Sequence, residues 1–247
     1  MAKDSNYDKM VLSDALFMEY HKFKNNKEYN KNTILQLFKY FNGNILTNLA
    51  QYERTNIDPA SNLTNQLVHA KNKNKPLTSL AKETSIKLIL CDDRTDFPYV
   101  NIISANEKIN NCISGFFEIQ ENRDKAIEHI KSICRDAKKI SIYDKYFSSD
   151  KNNITLLSSI LPKQKLEIKC YSNSRTNRGI SQQDIDKLRN SYEQYTIKKE
   201  DCENKWHDRF LDIDDRIEII LTSGFDHLGS ITGDFAYIIH SINNNRF

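Results

Sequence analysis

A histidine and an arginine two residues apart near the C-terminus are the residues best suited to chemistry in this chain. They lie in the stretch WHDRF, residues 206–210, within a predicted strand over Lys205 to Ile213. Alternation along a strand places His207 and Arg209 on the same face. Arginine presents a fixed fork of donors to phosphate oxygens, and a neutral imidazole can act as nucleophile or general base near neutral pH. The pair therefore predicts phosphoryl chemistry.

Two further groups follow at spacings that suit the same site. Asp214 comes seven residues after His207, at the end of the predicted strand, where a carboxylate can orient a neighbouring strand or an imidazole. A second predicted strand, Ile217 to Thr222, then returns the chain to Ser223 and Gly224, whose hydroxyl and backbone amides can approach the site. The candidate catalytic residues are His207, Arg209, Asp214 and Ser223.

These residues resemble the motif of the phospholipase D superfamily, H-x-K-x4-D followed by small hydroxyl residues. The chain carries the motif once, as His207-x-Arg209-x4-Asp214, with Thr222-Ser223 in the place of the hydroxyl residues. The resemblance covers roughly the last half of the chain. It implies that His207 is the nucleophile or acid, that Arg209 binds phosphate in place of the family's lysine, and that Asp214 and Ser223 support the site. It also implies a reaction that needs no metal and no cofactor.

A single copy of the motif implies a homodimer, because the family's chemistry uses two histidines and a second copy must supply the other. Small single-motif members act mostly on nucleic acid. The resemblance thus implies a metal-independent phosphodiesterase, most plausibly a nuclease, in the role of a bacterial antiviral effector. The alternative, also taken from the family, is a non-catalytic module that binds phosphate-bearing ligands or a protein partner.

Other charged residues near the motif leave further interpretations open. Asp208, Asp212 and Asp215 with Asp214 have the composition of a carboxylate metal cluster, although strand alternation and a hairpin turn also explain them. His227, next to Asp226, is either part of the site or a loop cap. Five basic residues either line a basic groove beside the site or belong to a solvated face. They are Lys169, Arg175, Arg178, Lys198 and Lys199.

The elements that must position these residues predict an α/β fold. Residues 1–80 read as a helical N-terminal region, which begins with a helix from Lys9 to about Asn25 and is suited to docking a protein partner. Residues 81–121 read as a β-rich connecting segment. From residue 122 to 247, strands alternate with helices, among them a strand at Ile140–Tyr143 and a helix at Ile154–Leu161. The pattern then changes to a hairpin, which predicts a phospholipase-D-like α/β domain with a mixed sheet.

Composition bounds the class of protein without deciding its function. The chain has 247 residues, 38% hydrophobic and 28% charged, which excludes global disorder. The 36 basic and 33 acidic residues exclude a sequence-wide electrostatic binder of nucleic acid but leave room for a focused phosphate pocket. The five cysteines are spaced too widely for a metal knuckle. No spanning segment or signal peptide is recognisable, so we expect a cytoplasmic protein.

Overall fold

The computed structural model describes residues 9–40, 43–173, 175–176, 178–202 and 209–242. The chain divides into two compact units, Met1–Cys112 and Ile113–Phe247. The first unit takes up the predicted N-terminal helices together with most of the predicted connecting segment. No helix in the described ranges is long and apolar enough to cross a membrane.

The first unit combines short helices with a three-stranded parallel sheet. Its helices are α1 (Asp14–Lys24), α2 (Lys31–Tyr40), α3 (Leu49–Thr55), α4 (Ser61–His69) and α5 (Leu77–Ala81). Its strands are β1 (Val11–Leu12), β2 (Ile89–Cys91), β3 (Tyr99–Asn101) and β4 (Ile109–Asn110). The sheet has the order β1-β2-β3, with both pairs parallel.

The start of the first unit differs from the sequence prediction. The helix predicted from Lys9 begins only at Asp14, where Ser13 caps it by accepting a hydrogen bond from the Leu16 amide at 3.3 Å. The residues before it form β1, which pairs with β2 almost eighty residues later. Ile45, also predicted as helical, instead forms a bridge with Met10. Local periodicity misses both pairings because each depends on residues far apart in sequence.

The second unit alternates strands and helices and ends in three antiparallel strands. Its strands are β5 (Ser114–Phe117), β6 (Lys139–Tyr143), β7 (Leu166–Asn173), β8 (Arg178–Gly179), β9 (Tyr195–Asp201), β10 (Arg209–Ile213), β11 (Ile217–Leu221) and β12 (Phe235–Ser241). Its helices are α6 (Asp124–Cys134), α7 (Asn153–Ile160), α8 (Gln182–Ser191) and α9 (Gly224–Leu228), with a 3₁₀ turn at Phe147–Ser149.

The sheet of the second unit is mixed, which confirms the α/β class and the mixed sheet predicted from sequence. Its strands run in the order β5-β12-β11-β10-β6-β7, and β8 and β9 both pair with β7. The strands β6, β7 and β9 are parallel to one another, as expected when helices connect them. The strands from β10 to β5 are antiparallel to their neighbours, and a tight hairpin joins one of these pairs, β10 and β11.

Helices α6 to α9 cover one face of this sheet. Their buried residues, such as Ile130, Leu157 and Phe225, join Leu211 and Ile213 of β10 in one hydrophobic core. Phe210, which alternates to the other face of β10, packs with Tyr143 in a separate cluster and stacks on its ring at 5.0 Å between centroids. Alternation therefore places Arg209 on the helix-covered face, at the first position of β10.

The five-residue helix α9 has no counterpart in the sequence prediction, which left residues 224–233 as a connection. Five residues span too little of a helical period to produce a recognisable apolar stripe. Gly224 at its start also reads locally as a breaker. Phe225 and Leu228 of α9 are nevertheless fully buried, so this helix is an integral part of the core.

Candidate functional site

The structure describes three of the four predicted site residues, and they do not all lie together. Arg209 opens β10 at the edge of the helix-covered core. Ser223 precedes α9, in the turn that approaches Arg209. Asp214 follows the opposite end of β10, about 17 Å from Arg209 at the rise of a strand. His207 lies outside the described residues.

The carboxylate that faces Arg209 comes from the end of β6, not from the predicted motif. Strand β10 is antiparallel to β6, with Phe210 opposite Tyr143, so the register brings Arg209 opposite Asp144. Arg209 Nε lies 3.9 Å from Asp144 Oδ1, with the arginine side chain 15% exposed and the aspartate 1% exposed. The two groups form a largely desolvated ion pair at the carboxyl end of β6.

Asp144 is held in place by the backbone of two different segments. Its Oδ1 accepts a hydrogen bond from the Tyr146 amide at 2.9 Å, and its Oδ2 accepts one from the Phe225 amide at 3.1 Å. Burial raises the pKa of Asp144, while the two amide hydrogen bonds and the nearby Arg209 act in the opposite direction. One buried carboxyl group thus ties β6, β10 and α9 together.

Gly224 is required by this arrangement. Its φ is +78°, in the left-handed region, and a Cβ at this position would lie 2.6 Å from Asp144 Oδ2 and 3.4 Å from Arg209 Nε. A side chain would therefore push on both partners of the ion pair. The turn of residues 222–224 also supplies the Thr222 carbonyl, which accepts a hydrogen bond from Arg209 Nη1 at 3.1 Å.

The guanidinium of Arg209 keeps unused hydrogen-bonding capacity. Its Nε is buried and has no hydrogen-bond partner among the described residues, since Asp144 Oδ1 lies beyond hydrogen-bond distance. A buried donor without a partner is costly. A ligand cannot reach the buried Nε, but a guanidinium has five N–H donors in a fixed fork, so the Nη groups can bind an oxyanion while Thr222 and Asp144 hold the side chain in place.

Two more cations gather with Arg209 around one tyrosine. The Cζ of Arg209 lies 5.3 Å from the centroid of the Tyr146 ring, Arg178 Cζ lies at 5.6 Å, and Lys145 Nζ lies at 5.2 Å. The Tyr146 side chain is 39% exposed. The site therefore combines one partly buried arginine with two more accessible positive charges, and Asp144 is its one closely associated carboxylate in the described residues.

Asp214 has a structural position in the hairpin. Its Oδ1 accepts hydrogen bonds from the amides of Lys138 and Lys139, both at 2.8 Å. Asp214 and Asp215 have φ values of +53° and +54°, a left-handed pair that makes the tight turn between β10 and β11. The carboxylate expected to support the reaction site instead fixes this turn to the start of β6.

The other acidic residues of the motif are also dispersed. Asp212 lies on the face of β10 opposite to Arg209 and is buried, whereas Asp215 forms an ion pair with Lys139 Nζ at 2.7 Å. Asp208 lies outside the described residues. Within the described ranges, no group of three His, Cys, Asp or Glu side chains is arranged to hold a metal ion.

His227 and Asp226 lie on α9 beside an open cavity of about 570 Å³. Asp226 accepts hydrogen bonds from the Asn153 amide group and from Ser149 Oγ, the latter at 3.2 Å. His227 Nδ1 lies 3.2 Å from the carbonyl oxygen of Asp234. Both side chains are thus engaged with the loops around α9, which favours the capping role that the sequence left open for His227.

Of the five basic residues considered as a groove, Arg178 is the one that the structure brings to the ring beside Arg209. Lys198 on β9 is paired instead with Glu167 on β7, at 3.2 Å. Sequence reasoning missed Asp144 and Tyr146 as members of the site. The available signal was the position of Asp144, an acidic residue directly after a buried strand.

No protein-family model matches the chain, and no curated protein matches its sequence.

Proposed function

We propose that this protein is a metal-independent phosphodiesterase that acts on nucleic acid as a homodimer. The observation that supports this most directly is the state of Arg209. Its side chain is 15% exposed and faces Asp144, and among the described residues its one hydrogen bond runs from Nη1 to the Thr222 carbonyl, so other Nη donors remain for a ligand. A phosphate oxygen is the kind of acceptor that such an arginine binds.

The proposed reaction uses His207 as nucleophile, two residues before Arg209. The imidazole attacks phosphorus, a P–N bond forms, and the P–O ester bond to the leaving group breaks. Arg209 binds the non-bridging oxygens, whose negative charge must be stabilised in the transition state. Water then attacks the phosphohistidine, the P–N bond breaks, and a phosphomonoester is released.

The homodimer follows from the need for a second proton-transfer group. The leaving oxygen requires a proton in the first step, and the attacking water must lose one in the second. The motif occurs once in the chain, so we assign this role to His207 of a second copy. A two-fold axis would then bring the two motifs together.

Hydrolysis of labelled DNA and RNA in the presence of EDTA tests the proposal. We expect the wild-type protein to cleave one of them, and His207→Ala to abolish cleavage. Arg209→Gln should reduce it by at least about 100-fold, the loss typical of removing one transition-state donor. His69→Ala is the matched control, because His69 is exposed on α4 of the other unit.

Three outcomes separate this proposal from its competitors. Cleavage that EDTA abolishes would replace it with a metal-dependent reaction. Cleavage that persists in His207→Ala would reject the nucleophile. Binding of nucleic acid that depends on Arg209, without cleavage of any probe, would assign the chain to the class of non-catalytic phosphate-binding modules.

A further inference from the structure

Three positive charges from three separate segments surround the ring of Tyr146. Arg209 comes from β10, Lys145 from the residues after β6, and Arg178 from β8. Each charge lies within 5.6 Å of the ring centroid, so no two of them are further apart than twice that distance. Like charges gathered this closely repel one another unless an anion lies between them.

Lys145 and Arg178 have no carboxylate partner of their own among the described residues. Several other cations on the second unit do have one: Lys139 pairs with Asp215, Arg189 with Asp186, and Lys198 with Glu167. The nearby carboxylate, Asp144, already accepts two backbone hydrogen bonds and faces Arg209. The two cations therefore keep their charges available to a ligand.

Backbone contacts fix Arg178 beside Tyr146. Strand β8 pairs with the end of β7, and the amide of Gly179 donates a hydrogen bond to the Lys145 carbonyl at 3.0 Å. Gly179 has a φ of +107°, and a Cβ there would lie 2.8 Å from the Tyr171 carbonyl oxygen. The short strand can approach so closely only because this residue is glycine.

We propose that Lys145, Tyr146 and Arg178 form a second phosphate subsite next to Arg209, which binds the neighbouring phosphate of a nucleic-acid strand. The inference rests on the proposed function, since Arg209 is taken as the site of the reacting phosphate. It goes further by assigning the substrate: a chain of linked phosphodiesters rather than an isolated one.

The spacing and the ring both favour a nucleic-acid strand. Adjacent phosphates of a strand are joined through a single sugar, so both can fit within the span of these three cations. The Tyr146 side chain is 39% exposed, and bases stack on aromatic side chains in proteins that bind single strands.

The test compares two probes and two charge-matched double variants of the full chain. Lys145→Gln with Arg178→Gln removes the proposed subsite. Lys131→Gln with Arg135→Gln removes the same two charges from α6 and the residue that follows it, where both side chains are exposed and paired with acidic residues. The probes are a single-stranded DNA of twelve nucleotides and a dinucleoside monophosphate, which contains one phosphodiester. Affinities are measured by fluorescence anisotropy at several salt concentrations.

We expect the subsite variant to lower the slope of log affinity against log salt for the twelve-nucleotide strand by about 1.4, or 0.7 for each lost contact. The affinities of the variant and the wild-type protein for this strand then converge near 1 M salt and differ about 25-fold at 0.1 M salt. Binding of the dinucleoside monophosphate should remain unchanged, because Arg209 is intact. The α6 variant should change the slope much less.

Four results would overturn the inference or the function beneath it. Equal slopes for the two double variants would reject the subsite, whatever the effect of Arg209→Gln on binding. Loss of dinucleoside binding in the subsite variant would show one shared site instead of two. Binding to anionic vesicles that depends on Lys145 and Arg178, with the DNA slope unaffected, would assign the cations to a membrane surface. If Arg209→Gln leaves binding of both probes unchanged, the proposed function fails first.

Discussion

Replacing Gly224 with alanine should damage the site more than its small size suggests. The new Cβ would lie 2.6 Å from Asp144 Oδ2, so the carboxylate must move away from it. That oxygen accepts the hydrogen bond of the Phe225 amide at 3.1 Å, and both groups are buried. The substitution therefore combines backbone strain with the loss of a buried hydrogen bond.

The magnitude follows from these two contributions. A residue with a Cβ in the left-handed region costs roughly 1–2 kcal/mol. Leaving a buried donor without its acceptor costs about 1–3 kcal/mol more. We thus expect Gly224→Ala to lower the free energy of unfolding by about 2–5 kcal/mol, and to weaken phosphate binding because Asp144 no longer holds Arg209 in place.

Gly43→Ala provides the control for strain alone. Gly43 has a φ of +100°, and a Cβ there would have no atom of the described residues within 4 Å. Gly43→Ala should therefore lower the free energy of unfolding only by the roughly 1–2 kcal/mol of a left-handed backbone. The entropy that alanine removes from the unfolded chain is the same in both variants, so it cancels in the comparison. Urea unfolding followed by circular dichroism measures both. Equal losses of stability would refute the constraint that we assign to Asp144.

Three further predictions concern the residues around the site. Asp214→Ala should lower the free energy of unfolding by about 1–3 kcal/mol more than Asp215→Ala, because of the two only Asp214 accepts two backbone hydrogen bonds. The phosphate affinity of Asp214→Ala should equal that of the wild-type protein, since Asp214 lies far from Arg209. A large loss of affinity would contradict that placement. Burial raises the pKa of Asp144 above its usual 3.8, so the folded state holds the proton more tightly than the unfolded chain. The difference in unfolding free energy between the wild-type protein and Asp144→Asn should consequently fall as the pH rises above 3.8, and level off once the carboxyl group is ionised in the folded state. Urea unfolding of both proteins across this pH range measures the difference. A difference that rises with pH would contradict the prediction. Cys202 is partly exposed whereas the other four thiols are buried, so iodoacetamide should alkylate Cys202 first in the native protein, as mass spectrometry of peptides would show.

Much of the second unit could be predicted from sequence because its elements carry strong local patterns. The strand predicted at Ile140–Tyr143 and the helix predicted at Ile154–Leu161 match β6 and α7 within one residue at each end. Each alternates or repeats its apolar residues over enough length to show its period. The hairpin at Asp214 was likewise visible, and it makes β10 and β11 antiparallel.

The composition of the site could not be predicted in the same way. Asp144 faces Arg209 because β6 and β10 are neighbours in a particular register, and no local pattern specifies that pairing. Arg178 reaches Tyr146 through β8, a two-residue strand with no periodicity of its own. Asp214 fits the spacing of a motif, but five residues of extended strand carry it to the end of β10 opposite to Arg209, away from the site.

Trapping of the covalent intermediate tests the central claim most directly. A nucleic-acid substrate is mixed with the protein in EDTA, the reaction is quenched under alkaline conditions that preserve phosphohistidine, and the peptides are analysed by mass spectrometry. The account predicts a nucleotide phosphate on His207 in the wild-type protein and much less of it in Arg209→Gln. Cleavage with no adduct on His207, or an adduct on a different residue, would contradict it.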